Sequence, residues 1–107
     1  MGGELGNRQP LTRTETMKLK WSNEAVADVA RLHDFLLKVN PTAAARMTQT
    51  LTVAPRRLLE RPQSGRPLDQ YLPREVRRII IGNYEMRYEL ADDTLYILRV
   101  WHTREDR

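Results

Sequence analysis

The first patterned segment of the chain alternates polar and apolar residues. Lys18, Leu19, Lys20 and Trp21 follow one another in this order, which predicts a short strand with Leu19 and Trp21 on its buried face. Ser22 comes next and is a good N-cap residue. We therefore expect a helix to begin directly after this strand.

Beyond Ser22, apolar residues recur every three or four positions, which predicts an amphipathic helix of about 17 residues. The expected stripe consists of Ala25, Val29, Leu32, Leu36 and Val39, widened by Val26 and Phe35. Asn40 and Pro41 then fit the cap and the first position of a second helix. Two such helices joined by a tight turn form an antiparallel hairpin.

The second helix shows the same spacing and one irregularity. Its apolar positions are Ala44, Met47, Leu51, Ala54 and Leu58. Pro55 lies inside this pattern, where a proline removes one backbone donor at a cost of about 3 kcal/mol in a regular helix. We expect a kink or break near Ala54.

The second half of the chain predicts strands. After a turn-rich loop at residues 61–67 and another around Pro73, apolar or alternating segments occupy residues 76–81, 84–90 and 94–101, and their connections are of hairpin length. The predicted fold is α+β, with the order β-α-α-β-β-β and the helical hairpin packed on a mainly antiparallel sheet. Residues 17–107 form the expected domain, and residues 1–16 are an expected disordered tail or upstream extension.

Composition narrows the class of protein. The chain has 107 residues, 40% of them hydrophobic and none of them cysteine, so we expect one small domain without disulfides or thiolate metal sites. Its apolar runs, such as Ile79, Ile80 and Ile81, are at most four residues long, which is too short to span a membrane. No secretory signal is readable, and a cytoplasmic protein is expected. His33 and His102 are distant in sequence, and neither has acidic residues at the spacing of a metal site, so we predict no metal site and no cofactor.

Positive charge is concentrated in the middle of the chain. Residues 54–87 contain eight arginines and four acidic residues, whereas residues 88–107 contain three arginines and five acidic residues. The planar guanidinium group suits carboxylates and phosphates. The expected partner is therefore anionic, either nucleic acid or an acidic protein segment.

One group of residues has the chemistry for cleaving RNA without a metal. His102 follows the last strand between Arg99 and Arg104, and tyrosines occupy the neighbouring strands. Such a set supplies a group that moves a proton and cations that stabilise a phosphorane. Tyrosines that alternate along a strand equally suit packing, so both interpretations stay open on the residues alone.

Four stretches of the sequence, taken in their order, resemble the RelE/ParE superfamily of toxins from type II toxin-antitoxin systems. They are the first helix at residues 25–29 with Leu32 and Phe35, the loop at residues 62–67, the strand pair at residues 76–88, and the last strand at residues 97–104. The resemblance covers residues 17–107. It implies a toxin that is neutralised by a cognate antitoxin, whose extended segment wraps the helices and the sheet.

The superfamily has two branches with different targets. The resemblance implies either a RelE-like endoribonuclease that cleaves mRNA on the ribosome, or a ParE-like inhibitor that binds DNA gyrase. In the ribonuclease branch an arginine is expected three positions before the middle-strand tyrosine, and here Glu85 stands three positions before Tyr88. A carboxylate repels the scissile phosphate. Thr103 also stands where some RelE-like members place a catalytic tyrosine after the histidine, so the sequence favours gyrase inhibition.

Two sets of site residues follow from these arguments. His102 is the candidate catalytic residue if the protein is a ribonuclease. If Leu98 and Val100 face the helices, strand parity turns Arg99 and Trp101 outward, and these types of side chain are enriched at binding hot spots. The predicted partner-binding residues are Arg77, Arg87, Arg99, Trp101 and Arg104.

Overall fold

The structure, a computed structural model, describes residues 17–105. Its elements are β1 (Lys18–Trp21), α1 (Asn23–Leu37), α2 (Pro41–Leu58), β2 (Arg66–Pro67), a 3₁₀ helix (Asp69–Tyr71), β3 (Glu75–Ile81), β4 (Tyr84–Ala91) and β5 (Thr94–His102). The predicted order of the two helices and four long strands is confirmed, and the two-residue strand β2 is an addition. The predicted tail, residues 1–16, lies outside the described residues.

Both predicted helix caps are present. The Ser22 hydroxyl accepts a hydrogen bond from the backbone N–H of Ala25 at 2.9 Å, and the Asn40 side chain accepts one from Ala43 at 3.1 Å. Helix α1 ends at Leu37, two residues earlier than predicted. Val39 consequently lies in the turn and is exposed, and does not extend the buried stripe.

Of the kink or break expected near Ala54, the break is wrong, because α2 continues through Pro55 to Leu58. Pro55 lies in the last turn, where its missing N–H removes a single hydrogen bond. Both Pro55 and Leu58 are buried, and this burial compensates for the lost bond. The turn then closes normally, with the Leu59 N–H donating to the Pro55 carbonyl at 3.3 Å.

The five strands within residues 17–105 form one sheet in the order β1-β5-β4-β3-β2. β1 pairs in parallel with β5, and the other neighbours pair antiparallel, as predicted for a mainly antiparallel sheet. The core lies between the sheet and the helices. Its fully buried members include Leu51, Met86, Tyr88, Leu95, Ile97 and Val100.

Two residues of the predicted α1 stripe do not join this core. Val26 is 55% exposed and Phe35 is 68% exposed. The sheet covers only the narrower face formed by Ala25, Val29, Leu32 and Leu36. The expectation that Val26 and Phe35 widen the stripe is therefore wrong, because nothing in the described part of the chain packs over that flank of the helix.

A β-bulge interrupts β5. Arg87 pairs with Arg99 and Tyr88 pairs with Ile97, so that Leu98 has no partner residue on β4. Ile97 and Val100, three residues apart, both enter the core, whereas Leu98 does not. The condition that Leu98 faces the helices is therefore wrong, because a bulge adds one residue and shifts the alternation. The orientation inferred for Val100, Arg99 and Trp101 nevertheless holds beyond the bulge.

Tyr88 stabilises the loop that precedes β2 through two hydrogen bonds. Its hydroxyl donates to the Pro62 carbonyl at 2.7 Å and accepts from the Gly65 N–H at 2.9 Å. A Cβ at Gly65 would lie 2.5 Å from that hydroxyl oxygen and 2.8 Å from the Arg78 carbonyl oxygen. Glycine is therefore required at position 65, because a side chain there would come too close to these atoms.

In the described part of the chain, no helix is long and apolar enough to cross a membrane.

We predict that Tyr88→Phe lowers the free energy of unfolding by about 1–3 kcal/mol, because it leaves a buried N–H and a buried carbonyl without their partner. Tyr96→Phe is the matched control. Tyr96 is half-buried on β5, and its hydroxyl forms no hydrogen bond with residues 17–105, so the loss for this variant is expected to stay within about 0.5 kcal/mol. Urea denaturation of both variants measures the difference, and equal losses would contradict the role assigned to Tyr88.

Candidate partner-binding face

The sheet has two faces with different chemistry. On β4, Met86 and Tyr88 enter the core beneath the helices, so that Glu85 and Arg87 lie on the opposite, helix-free face. Trp101 is the register partner of Glu85 and shares that face. Alternation along two neighbouring strands therefore gathers charged and aromatic groups on the side of the sheet without helices.

Two arginines stack on the Trp101 ring. The guanidinium carbons of Arg87 and Arg99 lie 4.8 and 4.9 Å from the Trp101 ring centroids, within the range of cation–π attraction. Trp101 is only 9% exposed. The sequence predicted that Trp101 faces outward as a partner-binding residue, whereas in the structure the ring is largely buried and Arg87 and Arg99 lie over it.

Glu85 lies at the centre of these cations and is only 2% exposed. Its carboxylate accepts a hydrogen bond from Nε of Arg87 at 3.0 Å, and Nη1 of Arg78 lies at 3.5 Å. Arg87 also donates to the Tyr71 hydroxyl at 2.9 Å. Burial alone lowers the pKa of Arg87, but the hydrogen bonds to Glu85 and Tyr71 outweigh it and leave the pKa raised. We call this set, Arg78, Glu85, Arg87, Arg99 and Trp101, the arginine–tryptophan face.

Asp28 of α1 holds Arg99 in the stack. Its carboxylate accepts hydrogen bonds from Nε and Nη2 of Arg99 at 2.8 and 3.1 Å, and from the backbone N–H of Val100 at 2.9 Å. Arg31 lies one turn further along α1 and donates to Asp28 at 3.3 Å. It also forms an ion pair with Glu105. A row of alternating charges thus joins the end of the chain to α1 and to the arginine–tryptophan face.

The titration of Asp28 reflects these contacts. Burial raises the pKa of this carboxyl, but the hydrogen bonds from Arg99, Val100 and Arg31 act in the opposite direction and hold the pKa below its ordinary value. The bond to Asp28 raises the pKa of Arg99. Both groups therefore stay charged at neutral pH.

Two predicted partner-binding residues lie elsewhere. Arg77 is on the helix side of β3, where Nη1 donates to the carbonyls of Gln63 and Gly65 at 3.0 and 2.8 Å and Nε donates to Glu75. It stabilises the loop before β2. Arg104 follows β5 in an exposed turn. The structure thus brings Arg87, Arg99 and Trp101 together and separates Arg77 and Arg104 from them.

His102 also lies on the helix side of the sheet. It is the register partner of Tyr84, and the two rings meet edge to face with centroids 5.3 Å apart. Nδ1 of His102 accepts the backbone N–H of Arg104 at 3.1 Å, so that the neutral imidazole carries its proton on Nε2. His102 borders a groove of about 910 Å³ between α1, α2 and the β3–β4 turn. Within residues 17–105, no cluster of side chains suits a metal ion.

Sequence reasoning missed Asp28, Arg78 and Tyr71 as members of this site. Asp28 lies in the apolar stripe of α1, between Ala25 and Leu32. A carboxylate on the buried face of an amphipathic helix is a readable signal, because such a group requires a charged partner. The sequence does not reveal that Arg99 is this partner, since 71 positions separate them.

Comparison with known proteins shows which family the chain belongs to. The family model described as "ParE toxin of type II toxin-antitoxin system, parDE" matches residues 19–107. This match spans most of the chain and includes both faces of the sheet. The chain belongs to the ParE toxin family. It is therefore a toxin of a type II toxin-antitoxin system, and membership implies a cognate antitoxin as its partner.

Individual relatives of this ParE-family toxin carry RelE names. The toxin RelE2 of Caulobacter vibrioides is 34% identical over 82 residues, which are 77% of this chain and 90% of the relative. The toxin RelE1 of the same organism is 35% identical over 88 residues, which cover 80% of this chain and 92% of that relative. A solved structure titled "Chromosomal ParDE TA system from P. aeruginosa" has a TM-score of 0.69 at 21% identity, covering 81% of this chain and 96% of that one. This structural likeness confirms the α+β fold.

We predict that Asp28→Asn lowers the free energy of unfolding at pH 7 by about 1–3 kcal/mol, because the hydrogen bonds to Arg99 lose their ionic character. The pKa of Asp28 is depressed in the folded state. Its contribution is therefore complete above the unfolded pKa of about 3.9 and is lost as the pH falls through the folded pKa.

Urea denaturation between pH 7 and pH 3 measures this contribution. The difference between the unsubstituted protein and Asp28→Asn is expected to shrink at the acid end. Asp34→Asn, at an exposed position of the same helix, is the control and is expected to change stability little. A difference for Asp28→Asn that does not vary with pH would contradict the assignment.

Proposed function

We propose that this toxin inhibits DNA gyrase by binding it through the arginine–tryptophan face. One observation carries the proposal: His102 lies on the helix side of the sheet, whereas Arg87 and Arg99 lie on the other side. RNA cleavage needs a proton-transfer group and a phosphate-stabilising cation at the same phosphate. Strand alternation therefore keeps His102 away from Arg87 and Arg99, the two arginines that are ordered by the stack on Trp101.

Tyr84 and Tyr88 give no substitute for His102 as a base. Burial raises the pKa of Tyr84. Burial also raises the pKa of Tyr88, against smaller opposing effects from Gly65 and Arg77. Both phenols therefore stay protonated near neutral pH, and the Tyr88 hydroxyl is already bonded to Pro62 and Gly65.

Glu85 weakens the arginine–tryptophan face as a phosphate site. Its carboxylate is fixed beside Arg78 and Arg87, and it repels a phosphate that approaches the same two cations. The face also includes an exposed apolar residue, because Ile80 is the register partner of Glu85 on β3 and is 50% exposed. Apolar side chains beside arginines are typical of protein interfaces.

The arrangement is suited to binding because it is already ordered. Arg99 is held by Asp28, Arg87 is held by Glu85 and Tyr71, and both stack on Trp101. Long side chains normally lose conformational entropy when a partner immobilises them. Here most of that cost is met on folding, so contacts with a carboxylate-rich protein surface contribute more of their energy to affinity. Because DNA gyrase acts in the cytoplasm, the proposal includes a cytoplasmic location. It also includes residues 17–107 as the toxin domain.

A second candidate function is mRNA cleavage on the ribosome, for which the groove beside His102 is the relevant site. Arg31, Arg46 and Arg104 border this groove with His102, and the imidazole holds a proton on Nε2 through its bond to Arg104. The relatives named RelE1 and RelE2 agree with this alternative. It needs no contribution from Arg87 or Arg99.

We predict that the purified toxin inhibits gyrase supercoiling and traps cleaved DNA, and that it leaves mRNA on translating ribosomes intact. His102→Asn, which keeps a hydrogen-bond acceptor near the position of Nδ1, is expected to retain this inhibition within about threefold. Under the alternative, the same substitution would reduce a cleavage rate by about 10²–10⁴-fold. Codon-phased mRNA cutting with unaffected gyrase would overturn the proposal.

We predict that Arg87→Lys and Arg99→Lys each weaken gyrase inhibition by about tenfold or more. Lysine keeps the charge beside Glu85 or Asp28, but it loses the planar stack on Trp101 and the forked donors. Arg56→Lys is the matched control, since Arg56 is exposed on α2 and lies away from this face. Concentration series in the supercoiling assay give the comparison, after circular dichroism has shown that each variant is folded. Equal inhibition by all three variants would exclude the arginine–tryptophan face as the contact surface.

A further inference from the structure

Two arginines share the carboxylate of Asp28. Its Oδ2 accepts hydrogen bonds from Nε of Arg99 at 2.8 Å and from the N–H of Val100 at 2.9 Å. Its Oδ1 accepts from Nη2 of Arg99 at 3.1 Å and from Nη2 of Arg31 at 3.3 Å. A carboxylate offers about four acceptor sites, so those of Asp28 are filled. A closer approach of Arg31 to Oδ1 therefore comes at the expense of the second bond of Arg99.

Glu105 holds Arg31 from the other side. The turn after β5 places Glu105, because the Glu105 N–H donates to the His102 carbonyl at 2.9 Å. Oε1 of Glu105 accepts the N–H of His102 at 3.0 Å, and Oε2 forms the ion pair with Nη1 of Arg31. Among residues 17–105, the carboxylates that pair with Arg31 are those of Glu105 and Asp28. Glu105 thus satisfies Arg31 while the contact of Arg31 with Asp28 stays long.

Asp28 is the most buried member of this row of charges. Its side chain is 6% exposed, whereas those of Arg31 and Arg99 are 45% and 42% exposed. Attraction between charges is stronger away from water, and residues three positions apart on a helix are neighbours. Asp28 is therefore the partner that Arg31 approaches if Glu105 loses its charge.

We propose that Glu105 is a positioning residue for the arginine–tryptophan face. It retains Arg31, and Asp28 then holds Arg99 with both donors. When the charge of Glu105 is removed, Arg31 takes Oδ1 of Asp28. Arg99 keeps only the bond from its Nε, and its guanidinium group stacks less firmly on Trp101. This role rests on the proposed function, because it assumes that the arginine–tryptophan face is the surface that contacts gyrase.

The fluorescence of Trp101 tests this role in the free toxin. Trp21→Phe leaves Trp101 as the one tryptophan of the chain, so acrylamide quenching measures how well the arginines cover its ring. In this background Glu105→Gln keeps an acceptor for the N–H of His102 and is expected to raise the quenching constant about twofold or more, as Arg99 leaves the ring. Glu60→Gln, at an exposed position after α2, is the control and is expected to change nothing. Equal quenching in both variants overturns the proposal.

A second substitution separates this role from a merely structural one. Adding Arg31→Gln to Glu105→Gln removes the competing cation, so that Asp28 again holds Arg99 with both donors. The quenching constant is then expected to return to that of the Trp21→Phe toxin. Damage to the turn after β5 is not repaired by the loss of another ion-pair partner. A double variant that is quenched as strongly as Glu105→Gln alone therefore overturns the proposal.

Gyrase inhibition provides the functional measurement, in toxin that retains Trp21. Glu105→Gln is expected to weaken inhibition by about fivefold or more, and the double variant with Arg31→Gln to inhibit within about twofold of the unsubstituted toxin. Undiminished inhibition by Glu105→Gln overturns the proposal. If the unsubstituted toxin leaves gyrase active, the proposed function fails, and the quenching of Trp101 alone decides the role of Glu105.

Discussion

The carboxylate of Asp28 joins the helices to the sheet at the point where the sheet would otherwise be incomplete. β1 pairs with β5 only as far as Ile97, and β5 continues to His102. The N–H of Val100 lies beyond the last partner residue of β1, and Asp28 accepts its hydrogen bond in place of a strand. The same carboxylate orients Arg99. One side chain of α1 therefore both completes the edge of the sheet and fixes the geometry of the arginine–tryptophan face.

Local chemistry was sufficient to predict much of the fold. The caps at Ser22 and Asn40 depend on residues at most three positions away, and the strands follow from alternation that is visible in the sequence. The two-residue strand β2 was missed because it consists of only Arg66 and Pro67 and exists through its pairing with β3. Pro55 was misjudged because the burial of the last helical turn depends on the sheet, which the helical pattern does not describe.

The candidate site was only partly predictable. Counting parity along β5 placed Arg99 and Trp101 correctly but assigned Leu98 to the core, because no sequence signal marked the bulge. Arg77 was expected at the binding face, whereas its guanidinium is used by the carbonyls of Gln63 and Gly65. Such roles depend on groups brought close by the fold, and a single sequence does not contain those distances. Trp101 and His102 are neighbours in the chain, yet strand alternation puts them on opposite sides of the sheet.

The parallel pairing of β1 with β5 joins the first and last strands of the domain. β1 cannot find its neighbour until β5 has been synthesised, and contacts this distant in sequence form slowly because a long loop must close first. Arg99 and Trp101 belong to the same late strand. A nascent chain still attached to the ribosome through β5 therefore lacks an assembled arginine–tryptophan face, and a translation product that stops before residue 99 has neither the stack nor the partner of Asp28. Assembly of the arginine–tryptophan face therefore depends on a complete β5.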